Sequence, residues 1–236
     1  MKVRTRRLIV ALLIAVASAG SVTAGYVAQR SSEDVTQQGA IQSIHASGPA
    51  ADALVTLPVK GRAPKTGYTR AQFSVGWQDL GSCDVRNYIL GRDMTDVTRV
   101  SVTDCTVLRG TLHDPYTAKI IQFVRGPESS KVQIDHVVAL SDAWQKGAQQ
   151  LTAEQRYQLA NDPLELLAVD GQANTQKSDA DAATWLPPNK AYRCAYVARQ
   201  IAVKQKYQLW VTTAEHDAMQ RVLSSCPSQL LPVVAP

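Results

Sequence analysis

"KVQIDHVVALSDAW", residues 131–144, is the stretch from which the rest of the chain is read. Its first half alternates: Lys131, Gln133 and Asp135 fall on one side of an extended strand, and Val132, Ile134 and His136 on the other. Packing alone gives no reason to end a hydrophobic strand on a carboxylate and an imidazole. Chemistry does, because a carboxylate holds a hard divalent cation and a neutral imidazole accepts a proton. Downstream, "SDAWQKGAQ" and "TAEQRYQLAND" read as helices, the second opening on a threonine cap with Glu154 in its first turn. "DPLELLAVD" reads as a short strand and "GQANTQKSDAD" as a helix or turn. The order strand, excursion, strand, helix can bring Asp135 and Asn174 together, with His136 beside them and Lys177 three residues beyond Asn174.

Working outward, the N-terminus has the form of a secretory signal peptide. "MKVRTRR" carries four positive charges and no negative one, "LIVALLIAVA" is apolar, and "SAGSVTAG" offers small residues for cleavage. The apolar run is short against the ~20 residues that span a bilayer, so residues 1–24 are expected to direct export, with an uncleaved anchor as the alternative. Four of the 25 Lys and Arg lie in this leader and none of the 20 Asp and Glu. The remainder is nearly neutral, and nucleic-acid binding cannot be argued from net charge. Four cysteines, Cys83, Cys105, Cys194 and Cys226, lie beyond the leader with no CxxC pair, which in an exported chain favours two disulfides. Three pairings are possible. Cys83–Cys105 with Cys194–Cys226 is preferred because each closes a local loop.

Residues 25–66 are rich in Ala, Ser, Gln and Gly without a sustained period. They read as a tether with room for one short helix, leading into a domain over 67–236. Within the domain, "CDVRNYILGRDM" suits a short helix. "RVSVTDCTVLRGTLHDPYT" and "KIIQFVRG" suit strands, and "NKAYRCAYVARQIAVKQKYQ" and "TTAEHDAMQRVLSSC" suit amphipathic closing helices. The class expected is α+β, one domain, with Trp144, Trp185 and Trp210 in its core.

The blocks "IDHVVAL", "NDPLELLAV" and "ANTQKSD" together resemble the HNH motif of the ββα-metal nucleases. With "GWQDLGSCDVRNYILGRDM", "LRGTLHDPYT" and "WLPPNKAYRCAYVARQIAVKQKYQL", the chain after the tether resembles secreted bacterial HNH endonuclease family proteins. That group is related to the C-terminal nuclease domain of GmrSD-type restriction enzymes. The resemblance implies a ββα-metal core with additional strands and C-terminal helices. It implies His136 as general base, Asp135 and Asn174 as ligands of Mg²⁺ (or Mn²⁺), and Lys177 as a cation on the scissile phosphate. It implies a nucleic-acid substrate, DNA rather than RNA, no stable protein partner, and membrane contact only through an uncleaved N-terminus. Arg86, held near the site by the neighbouring cystine, is a candidate phosphate clamp. One position departs from the pattern: Glu165 stands where the group has asparagine, the residue that braces the loop and orients the histidine. Asn161 is the candidate substitute for the missing amide. A glutamate near His136 would favour imidazolium and slow the reaction. The alternative function is therefore a secreted, disulfide-stapled module that keeps the HNH scaffold and binds without turnover.

Overall fold

Seven α-helices and five strands account for residues 49–232, the part of the chain described by a computed structural model. The expected leader (1–24) and the tether up to residue 48 lie outside the described residues. Helix α1 (Ala50–Thr56) is followed by α2 (Val85–Asp93) and by β1 (Met94–Arg99), β2 (Val107–His113) and β3 (Ile120–Val124). Next come β4 (Val132–His136), α3 (Leu140–Gln145), α4 (Ala153–Asn161), β5 (Leu166–Asp170) and α5 (Gly171–Lys177). Helices α6 (Arg193–Lys206) and α7 (Thr213–Leu223) close the domain. No helix among the described residues is long and apolar enough to cross a membrane.

Local chemistry sets the helix starts. The Asp84 carboxylate accepts the Asn87 N–H to begin α2, and full capping boxes begin α4 (Thr152 with Gln155) and α7 (Thr212 with Glu215). Strands β1, β2 and β3 form one antiparallel sheet in that order, and β4 pairs antiparallel with β5 in a second. The register of the second sheet sets Val132 opposite Asp170 and His136 opposite Leu166. Both faces of this two-stranded ribbon are covered, which is why Leu166, Leu167, Ala168 and Val169 are all buried. Val132, Ile134, Leu166 and Ala168 pack with α2 and the three-stranded sheet. Leu167 and Val169 belong to the larger core with α1, α6 and α7.

The two disulfides are Cys83–Cys105 and Cys194–Cys226, as the sequence predicts. By loop-closure entropy each contributes about 3 kcal/mol. Two boundaries differ from expectation. The first strand begins at Met94, inside the block read as helix, because α2 ends at Asp93. The folded unit also begins well before residue 67. Ala50, Ala53, Leu54 and Leu57 are buried in the larger core, and the Ala50 N–H donates to the Gln229 carbonyl at the far end of the domain. A short, aromatic-free segment gives little periodic signal of such burial.

Candidate active site

The ββα unit is β4, β5 and α5, and the interval between its strands contains α3 and α4. Two features fix α5 against β4. Asp170 caps the helix by accepting the Ala173 N–H at 2.8 Å. Gly171 opens it so close to the chain before β4 that a Cβ there would lie 2.0 Å from the Ser130 carbonyl oxygen. Any side chain would push the helix off the strand.

Helix α5 then lays Asn174 and Lys177, one turn apart, along the side of β4 that carries Gln133 and Asp135. Asn174 Nδ2 donates to Gln133 Oε1 at 2.9 Å. Lys177 Nζ donates to Asp135 Oδ1 and to the His136 carbonyl, both at 2.9 Å, and is fully buried. Lys177 therefore sits beneath the carboxylate as its counter-charge rather than projecting toward solvent. The other carboxylate oxygen, Oδ2, accepts from the Tyr116 hydroxyl at 2.5 Å. Burial pushes the Asp135 carboxyl above its usual range, opposed by Lys177 and by the Tyr116 hydrogen bond.

His136 leaves the opposite side of the ribbon, so the expected pair is split across the strand end. Its ring lies parallel to Trp77, with 6° between planes and 5.9 Å between centroids. Nε2 is 2.9 Å from the Ala160 carbonyl. A carbonyl only accepts, so Nε2 carries the proton and Nδ1 holds the free lone pair. Nδ1 makes no hydrogen bond among the described residues. Burial lowers the imidazole pKa from 6.5 to about 3, opposed by the Ala160 bond and reinforced by the charges of Arg70 and Lys177. The ring is neutral at pH 7.

Glu165 is completely buried and braces the loop that follows His136. Both of its carboxyl oxygens lie 3.2 Å from the Val138 N–H, and its own carbonyl accepts from Val137. Burial raises its pKa well above the usual value, opposed by the Val138 bond. Glu165 makes no hydrogen bond to His136, and His136 is shifted down, not up. The expectation that it would favour imidazolium does not hold. Asn161 acts one step away: its Oδ1 accepts the Gln78 N–H at 2.9 Å and its Nδ2 donates to the Tyr157 carbonyl. It thereby fixes the loop that carries Trp77. Arg86 lies up the strand, donating to the Val132 carbonyl at 3.4 Å with its guanidinium 5.9 Å from the Phe123 ring. It is not grouped with Asp135 or His136. Burial and Arg125 lower its pKa, and it makes no ion pair with Asp84, which caps α2.

Sequence reasoning missed Trp77, Tyr116 and the Ala160 carbonyl. In "HDPYT" the Asp114-Pro115 step carries turn chemistry. Asp114 does hold that turn through the Thr117 N–H at 2.7 Å, but the turn's product is the placement of Tyr116 under Asp135. A cleft of about 550 Å³ opens beside Trp77, walled by residues 71–77 and by Glu154 and Tyr157 of α4.

Carboxylate and amide oxygens are the donor type that a Mg²⁺ ion takes. Asp135 and Asn174 offer hard oxygens on one side of the unit, and each Asp135 oxygen keeps a second lone pair after its hydrogen bond. Asn174 Oδ1 has no partner among the described residues. No group of three or more His, Cys, Asp and Glu side chains converges among those residues, so a cation here would keep several waters.

The model of the GmrSD restriction endonuclease C-terminal domain matches residues 84–222, from the cap of α2 into α7. An uncharacterized secreted protein of Arthroderma benhamiae is 35% identical over 186 residues, covering 78% of this chain and 88% of the relative. Both spans contain the ββα unit, and the chain belongs to the family of GmrSD restriction endonuclease C-terminal domains, an endonuclease family.

Proposed function

We propose that this protein is a secreted, divalent-metal-dependent HNH endonuclease that hydrolyses phosphodiester bonds in DNA. The observation that carries the reading is the state of His136. It is a neutral imidazole whose Nε2–H is committed to Ala160 and whose Nδ1 is free, at the end of the strand that carries Asp135. A phosphodiester lying across the end of β4 meets the imidazole on one side and Asp135 with Asn174 on the other. His136 Nδ1 takes the proton of the attacking water as its oxygen bonds to phosphorus and the bond to the leaving oxygen breaks. The hydrogen bond to Ala160 holds the tautomer that makes this possible. Asp135 and Asn174 would hold a Mg²⁺ or Mn²⁺ ion, which when bound supplies positive charge for the phosphate and leaving oxygen. Lys177 and Tyr116 hold the Asp135 carboxylate in one orientation, and Glu165 takes the bracing role of the family's asparagine. Export is supported by the form of the N-terminus and by the secreted relative.

A second reading, a scaffold that binds nucleic acid without cutting it, is favoured by one observation: His136 is only 7% exposed, beneath Trp77. One assay separates the two. The chain from residue 25 onward is incubated with plasmid DNA in Mg²⁺, in Mn²⁺ and in EDTA, beside His136→Ala. The expected result is metal-dependent cleavage that falls by about 100-fold or more in His136→Ala. No wild-type cleavage in either metal sinks the enzyme, and cleavage that survives His136→Ala sinks the assignment of the base.

A further inference from the structure

Between the first turn of α6 and the last turns of α7 lies a groove of about 400 Å³ that the chemistry above does not use. Its floor is apolar, formed by Ala182, Leu186, Ala218 and Val222, and its rim carries Lys190, Arg193 and Arg221. No acidic residue lines it. Lys190 and Arg221 are exposed, and none of the three cations has an ion-pair partner among the described residues. Arg193 is half-buried and aimed by a hydrogen bond from its Nε to the Pro187 carbonyl at 2.8 Å. Asp217, one turn before Arg221, makes no ion pair with it and lies 3.6 Å from the His216 ring nitrogen Nδ1. Three cations with no ion-pair partner among the described residues, on a chain that is nearly neutral beyond residue 24, are a local concentration of charge with a sign. The Cys194–Cys226 bridge ties the wall bearing Lys190 and Arg193 to the end of the wall bearing Arg221. The groove is also joined to the site. Trp185, next to Leu186, packs edge-on against Tyr116 at 5.1 Å between centroids, and Tyr116 donates to Asp135.

We propose that this groove binds the phosphodiester backbone of the nucleic-acid strand, away from the bond that is cut; the proposal rests on the nuclease reading for its choice of polyanion. The three cations meet successive phosphates, and the apolar floor lies under the sugars. Contacts of this kind carry affinity and salt dependence rather than sequence preference.

The test is the anisotropy of a fluorescein-labelled DNA oligonucleotide titrated with the exported chain in EDTA, at several salt concentrations. Lys190→Gln combined with Arg221→Gln is compared with Lys119→Gln combined with Arg109→Gln, an equal change of charge in β2 and in the turn before β3. The groove variant is expected to bind about tenfold or more weakly. Its plot of log affinity against log salt should be shallower by about 1.5, the loss of two phosphate contacts. The comparison variant is expected to bind like wild type. Unchanged affinity in the groove variant overturns the proposal, as does an equal loss in both variants. Displacement of the oligonucleotide by polyglutamate at matched charge also overturns it, in favour of an acidic protein partner. Thermal melting checks folding, and the single Lys190→Gln serves if the double variant melts early. Binding that depends on the groove without cleavage in metal sinks the nuclease reading and supports the groove. Cleavage with groove-independent binding does the reverse.

Discussion

At position 165 the chain carries a carboxyl group where the resemblance to HNH nucleases implies an amide, and the surroundings make the difference small. Glu165 is buried with its oxygens on the Val138 N–H, and burial holds its folded pKa well above the unfolded value near 4.5. A protonated carboxyl presents the same acceptor as an amide carbonyl. The cost appears as pH dependence. In the folded state the proton is retained above the pH at which the unfolded chain loses it. Stability from this group is therefore complete below about 4.5 and declines as pH rises toward the folded pKa. Glu165→Gln keeps the shape and removes the titration. Its melting temperature is expected to exceed that of wild type by several degrees at about pH 8, with the gap closing toward about pH 4. Equal melting profiles across that range would show that Glu165 is not a buried, protonated acceptor.

Helix α5 is only seven residues long and holds its place through a few contacts with β4 and the chain before it. The Gly171 approach to Ser130 is the tightest of these. Gly171→Ala inserts a methyl group where backbone already stands, so α5 must move away from β4. Asn174 and Lys177 go with it, separating the amide from Gln133 and the ammonium from Asp135. The expected outcome is a loss of about 1–3 kcal/mol in urea unfolding, the range for overpacking. Cleavage should fall more steeply than the fraction folded. A variant with full stability and full cleavage would mean that the close approach does not position the site.

Across the whole molecule, a buried ionic cluster ties distant segments together. Lys146 Nζ contacts Asp142 at 2.8 Å, Asp181 at 2.7 Å and Glu215 at 2.6 Å. Lys204 pairs with Glu215 at 3.0 Å, and Arg62 pairs with both Asp142 and Asp181. These six residues come from the stretch after α1, from α3 and its end, from the segment after α5, and from α6 and α7. Lys146→Met leaves three carboxylates short of a partner in the interior and is expected to cost about 3–5 kcal/mol in denaturant unfolding. A loss under about 1 kcal/mol would show that the cluster is dispensable. Helix α1 makes the same argument for the domain boundary. A chain starting at residue 67 loses Leu54 and Leu57 from the core, about 1.5–3 kcal/mol each, together with Arg62 from the cluster. It is expected to fail to fold where a chain starting at residue 46 succeeds, as read by circular dichroism and by solubility. A cooperative melt from the shorter chain would restore the boundary at 67.

Short-range information was enough for most of the elements, though not for the start of β1 or the burial of α1. Alternation in "KVQIDH", the Thr152 cap and the even set of four cysteines were readable because they depend on neighbours along the chain. The motif order likewise placed Asp135, His136, Asn174 and Lys177 in one ββα unit. Only the tertiary structure decided what each side chain faces. A strand turns successive residues to opposite sides, so Asp135 met Lys177 and Tyr116 while His136 met Trp77 and Ala160. Those partners lie between 19 and 59 residues away along the chain. Nothing local marks a lysine for burial, a tryptophan for a cap or a carbonyl as the acceptor that sets a tautomer, because burial and pairing are properties of the packed chain.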